Sequence, residues 1–74
     1  MKTDREEKFK SLATIRTNKT IKQIRLIGNL SDKSNYKYNK KQIDAIINAI
    51  DSEFTKMKER FENAGETEHF KLDD

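Results

Sequence analysis

Two tyrosines stand among four lysines in the segment Leu30 to Lys41, which reads Leu-Ser-Asp-Lys-Ser-Asn-Tyr-Lys-Tyr-Asn-Lys-Lys. Tyr36 and Tyr38 interleave with Lys33, Lys37, Lys40 and Lys41, and Ser34 and Asn35 add hydrogen-bonding groups. Such a mixture suits nucleic acid, because ammonium groups neutralise phosphates and an exposed phenol ring stacks on an unpaired base. Each ring also has a structural reading. Tyr38 precedes Asn39, a good helix cap, and is placed to pack on Ile43 as a hydrophobic staple. Tyr36 divides between base stacking and closing the open end of a helical hairpin.

Upstream, Lys8, Lys19, Lys22 and Arg25 recur at helical spacing on one side of the chain, with no acid among them after Glu7. A positive stripe of this kind can cross a phosphate backbone or sit in a major groove. The alternative is a solvated face, although solvated faces ordinarily mix signs. Ile15 and Leu26 lie on this same outer side, separated by Lys19 and Lys22, and offer anchors for a protein partner. Arg16 falls instead among Leu12, Thr17 and Thr20, where a guanidinium needs an acceptor. In an antiparallel hairpin Asp51 or Glu53 supplies it.

These groups belong to a sharply divided charge distribution. From Lys8 to Lys41 ten basic residues face one acid, Asp32, a formal charge of +9, whereas from Gln42 to Asp74 four bases face nine acids, a charge of −5. The overall +3 conceals this polarity. A field of this shape bears on partners, and polyanions or acidic proteins are the natural ones for the basic half.

No catalytic constellation is present in the sequence, and no enzyme, metal or cofactor is expected. The single histidine, His69, has only Glu66 and Glu68 nearby, far short of a metal motif. Gly28 and Gly65 are placed as helix stops rather than as a phosphate-cradling loop, and no serine sits beside a base. The absence of cysteine removes disulfides and thiolate metal sites, and fits a reducing compartment. The N-terminal segment carries Asp4, Glu6 and Glu7 and lacks the apolar run of a signal peptide. No stretch approaches the roughly 20 apolar residues of a membrane span. A cytoplasmic protein is therefore expected.

The elements that carry these residues are read from caps and periodicity. Thr3-Asp4-Arg5-Glu6 has the form of a capping box, which predicts a first helix over about Asp4 to Ile27, ended by Gly28 and Asn29 in the left-handed conformation. Its core face comprises Phe9, Leu12, Ala13, Thr17, Thr20, Ile21, Ile24 and Ile27. Asn39 and Gln42 form a second box, predicting a helix over Lys40 to Glu62. Ile43, Ile47, Ile50, Phe54, Met57 and Phe61 follow at alternating spacings of four and three, a heptad seam. Asn63 to Gly65 is the expected stop. Residues 65–74 are then a flexible acidic tail in which Phe70 and Leu72 dock locally, beyond a helical domain of residues 1–64.

The fold expected is all-α, an antiparallel two-helix hairpin. With 32% apolar and 39% charged residues in 74, a lone hairpin has a thin core, so dimerisation into a four-helix bundle is the natural completion.

The runs Arg16-Thr17-Asn18-Lys19, Ile24-Arg25-Leu26-Ile27-Gly28-Asn29-Leu30-Ser31 and Ser34-Asn35-Tyr36-Lys37-Tyr38, with the isoleucine-rich helix after them, resemble small helical proteins encoded on plasmids and integrative conjugative elements of Gram-positive bacteria. The resemblance covers residues 5–61. It implies a mobile-element setting and assigns no functional residue. The chain is also similar in size and topology to the helical-hairpin phosphatases of sporulation response regulators, but lacks their Ser-Gln-Glu-Leu-Asp signature.

Two functions remain open at this level. In the first, a nucleic-acid-binding accessory or regulatory protein, DNA being favoured over RNA, makes phosphate contacts through Lys19, Lys22, Arg25, Lys33, Lys37, Lys40 and Lys41 and stacks through Tyr36. In the second, an interaction module or inhibitor docks its basic face on an acidic protein, with Ile15 and Leu26 as anchors. A membrane-surface role is disfavoured, since threonines interrupt the apolar stripe of the first helix.

Overall fold

The computed structural model describes the backbone of residues 2–73 and the side chains of residues 4–64. Two helices account for the regular structure: α1, Lys2–Asn29, and α2, Lys40–Asp73. No strand occurs among the described residues. The all-α class follows from the sequence's helical periodicities and from the absence of proline. The chain divides into two units, Met1–Lys37 and Tyr38–Asp74, each built on one helix.

α1 is longer at both ends than its sequence signals predict. It begins at Lys2, ahead of the expected cap at Thr3, whose side chain lies outside the described residues. At the other end the helix passes through Gly28 to Asn29, and no described residue, glycine included, has a positive φ. The left-handed stop expected at Gly28 and Asn29 is therefore not formed. The helix closes by tightening: the Leu30 N–H donates to the Ile27 carbonyl at 3.0 Å, Ser31 to Gly28 at 3.0 Å and Asp32 to Asn29 at 3.4 Å. These i→i+3 bonds satisfy carbonyls that a helix end otherwise leaves without partners. Glycine permits a left-handed residue but does not require one.

α2 starts where its cap dictates. The Asn39 Oδ1 accepts the Gln42 N–H at 2.8 Å, and the Gln42 Oε1 accepts the Asn39 N–H at 2.9 Å. The Ile43 N–H then donates to the Asn39 carbonyl at 3.2 Å, the first turn of the helix. Tyr38 and Ile43, the two ends of the expected staple, are among the few half-buried residues described, with Ala13.

The stop expected at Asn63 to Gly65 is not taken, and α2 continues to Asp73. A helical Gly costs about 1 kcal/mol relative to Ala, a penalty that a long helix absorbs. The segment expected as a tail is thus helical in its backbone. The side chains of His69, Phe70 and Leu72 lie outside the described residues, and the docking expected for the last two with them.

Neither helix covers its apolar face. None of the described residues is buried; in α2, Ile47 is 58% exposed and Phe61 64%. Packing of such a face, more than intrinsic propensity, normally stabilises helices in proteins. Each fully buried Ile, Leu or Phe would contribute roughly 1.5–3 kcal/mol.

Candidate nucleic-acid interface

The basic residues singled out in the sequence occupy both units. Lys19, Lys22 and Arg25 lie on α1, Lys33, Tyr36 and Lys37 in the segment that follows it, and Lys40 and Lys41 on the first turn of α2. At 100° per residue, Lys19, Lys22 and Arg25 share one side of α1, and Ile15 and Leu26 project within that same side. Both apolar residues are exposed, Ile15 at 49% and Leu26 at 46%. The side of α1 that suits phosphates is thus also the side that offers apolar anchors.

The segment after α1 is held by Asp32. Its Oδ1 accepts the Ser34 N–H at 3.0 Å and the Ser34 hydroxyl at 2.6 Å, and its Oδ2 accepts the Asn35 side-chain amide at 3.0 Å. The Asp32 carbonyl takes the Asn35 N–H at 3.1 Å and the Tyr36 N–H at 3.0 Å. Aspartate commonly closes turns in this way. The bond from the Ser34 hydroxyl, and next that from its N–H, hold the Asp32 carboxyl below its ordinary pKa; slight desolvation opposes them, and the Asn35 amide lowers it further.

This turn changes the reading of two residues. Ser34 and Asn35, considered in the sequence as groups for a nucleic acid, direct their side chains to Asp32 instead. The sequence contained the signal, since Asp followed by Ser at the second position and Asn at the third is turn chemistry. The single acid of the +9 segment is thereby a structural acceptor. Tyr36, at the end of the turn, is 49% exposed, a ring accessible for stacking.

The start of α2 combines Lys40 and Lys41 with the positive end of the helix dipole, and its first turn has no acid. Lys40 donates to Asp44 one turn on, at 3.0 Å. That pair is exposed and contributes little to stability, so it does not withdraw Lys40 from a phosphate. Two cations at a helix N-terminus are locally unfavourable. The placement therefore has no explanation in helix stability.

Among the described residues no group of three or more His, Cys, Asp or Glu is arranged to hold a metal ion. None of the described helices is long and apolar enough to cross a membrane. Compared with protein-family models, with curated proteins and with solved structures, the chain finds no match.

Proposed function

We propose that this chain is a small nucleic-acid-binding accessory or regulatory protein of a mobile element, acting in the cytoplasm and favouring DNA. The observation that carries the reading is the Asp32 turn. It engages the one acid of the basic segment in local hydrogen bonds and ends at an exposed Tyr36 between Lys33 and Lys37. Lys19, Lys22 and Arg25 supply phosphate contacts along α1, and Lys40 and Lys41 add two at a helix terminus that already favours anions.

The exposed apolar faces support a further part of the proposal, in which α1 and α2 pair as an antiparallel hairpin and two copies complete a four-helix bundle. Such an assembly would cover the heptad seam of α2 and the stripe of α1 from Phe9 to Ile27. Its stability would depend on protomer concentration.

A second reading is favoured by Ile15 and Leu26, which a pure phosphate surface does not need. In it the basic side of α1 docks on an acidic protein, and the two apolar residues anchor the contact.

One measurement separates the two. Binding to duplex and to single-stranded DNA is titrated against salt, and affinity should fall steeply, with a logarithmic slope of about −0.7 to −0.9 per phosphate engaged. No salt-sensitive affinity for either form at low ionic strength would reject the nucleic-acid reading in favour of the acidic protein.

A further inference from the structure

The seam of α2 carries its charges in an order that a second copy can read. With Ile47 and Phe54 in the first core position of successive heptads, the charged residues flanking the seam are Asp44, Asp51 and Lys58 on one side and Glu53 and Arg60 on the other. The acids lie toward the N-terminal end and the bases toward the C-terminal end. The helix is continuous through all of them, and the seam is exposed from Ile47 to Phe61.

From this pattern we infer that α2 packs against α2 of a second copy of this chain, antiparallel, with the two helices crossing between Thr55 and Lys56. At that register Phe54 meets the second copy's Met57. Asp51 meets its Lys58 and Glu53 its Arg60. The two-fold axis doubles both pairs, so four opposite-charge contacts flank the seam.

The neighbouring alignments do not match this. Sliding one heptad toward the N-termini places Asp51 against Asp51 and Glu53 against Glu53, which offsets the two Asp44–Lys58 pairs it forms. Sliding one heptad the other way opposes Lys58 to Lys58 and Arg60 to Arg60. A parallel pair retains only Glu53 with Lys58. Flanking charges set partner and orientation in coiled coils through such differences.

In the single chain these groups make only weak alternative contacts. Glu53 pairs with Lys56 at 3.5 Å with both side chains exposed, and the Lys58 ammonium lies 5.7 Å from the centre of the Phe54 ring. An exposed pair of that kind exchanges readily for another. α1 is the poorer occupant, because Arg16, Thr17 and Thr20 break its apolar stripe, whereas the α2 seam runs unbroken from Ile43 to Phe61.

The inference rests on the self-association proposed above, but gives the α2 seam to α2 of the second copy in place of α1 and fixes the direction of the pair. Its test uses the full chain. Glu53→Arg or Arg60→Glu alone should weaken the dimer roughly tenfold in sedimentation, while the double exchange should restore it to within about threefold, since the pairs re-form with reversed sign.

A spin label at Ala45→Cys is unique, because the sequence has no cysteine. In the antiparallel register the two labels are offset along the axis by about 32 Å, whereas parallel helices give no offset. A dimer with no axial offset, or one that the 53/60 exchange fails to rescue, overturns the inference and leaves self-association standing. A chain that stays monomeric at every concentration overturns both. The nucleic-acid reading is judged separately, by its own salt titration.

Discussion

Asn39 and Gln42 cap α2 reciprocally, each side-chain oxygen accepting the other's backbone N–H, at 2.8 and 2.9 Å. Two donors that a helix start leaves unpaired are satisfied by one pair of residues. Asn39→Ala should therefore lower stability by about 1 kcal/mol, read as a loss of α2 helicity by circular dichroism under denaturant. A change below about 0.3 kcal/mol would show that the box contributes nothing beyond solvation.

Gly28 provides a sharper test, because sequence and structure predict opposite signs. A left-handed terminal glycine tolerates no side chain without strain, whereas a helical one gains from alanine. The structure places Gly28 within α1, without positive φ and with open space where a Cβ would stand. Gly28→Ala should stabilise α1 by about 0.5–1 kcal/mol. Destabilisation by a comparable amount would restore the left-handed stop.

The Asp32 turn predicts a pH dependence whose sign is fixed. A carboxylate held below its ordinary pKa in the folded state stabilises that state above the ordinary value, and the contribution disappears as pH falls through the lowered one. A carboxyl-carbon NMR titration should place the Asp32 midpoint below the usual aspartate range, with the Ser34 and Tyr36 amides shifting in step. A midpoint at or above that range would show that the turn is not populated in solution.

Function separates from charge at the same residue. Asp32→Ala makes the basic segment more positive, so duplex affinity should hold or rise at low salt. Loss of the turn should nonetheless reduce single-strand affinity, as Tyr36→Ala should, if the ring stacks as proposed. Equal gains on both nucleic acids would mean that Tyr36 takes no part.

Replacing Lys33, Lys37, Lys40 and Lys41 together with Gln should flatten the logarithmic salt slope by about 3–4 units if all four contact phosphate. Surface changes of this kind usually alter stability by no more than about 0.5 kcal/mol, and removing cations from the start of α2 is favourable. A slope unchanged by the four substitutions would move the contacts to Lys19, Lys22 and Arg25.

Features governed by neighbouring residues were legible in the sequence. The start of α2 follows from Asn39, Gln42 and Tyr38 with no reference to the rest of the chain. Helix ends were not, because Gly28 and Gly65 allow a stop without compelling one, and a missing Cβ says nothing about which backbone conformation is adopted. At the candidate interface, the lysines and Tyr36 are singled out by residue type alone. The roles of Ser34 and Asn35 follow from their spacing after Asp32 rather than from residue type, which leaves a nucleic acid and Asp32 both open as partners.

The exposure of most of the described apolar side chains has a consequence for the life of the protein in a cell. If self-association covers that surface, as proposed, the chain is most vulnerable to proteolysis when scarce, and its half-life should lengthen as its own abundance rises. Its steady-state level should then climb more steeply than its rate of synthesis, turning a modest increase in gene dosage into a disproportionate increase in protein. Pulse-chase decay at two expression levels would show the effect as a concentration-dependent lifetime, and equal decay at both would exclude it.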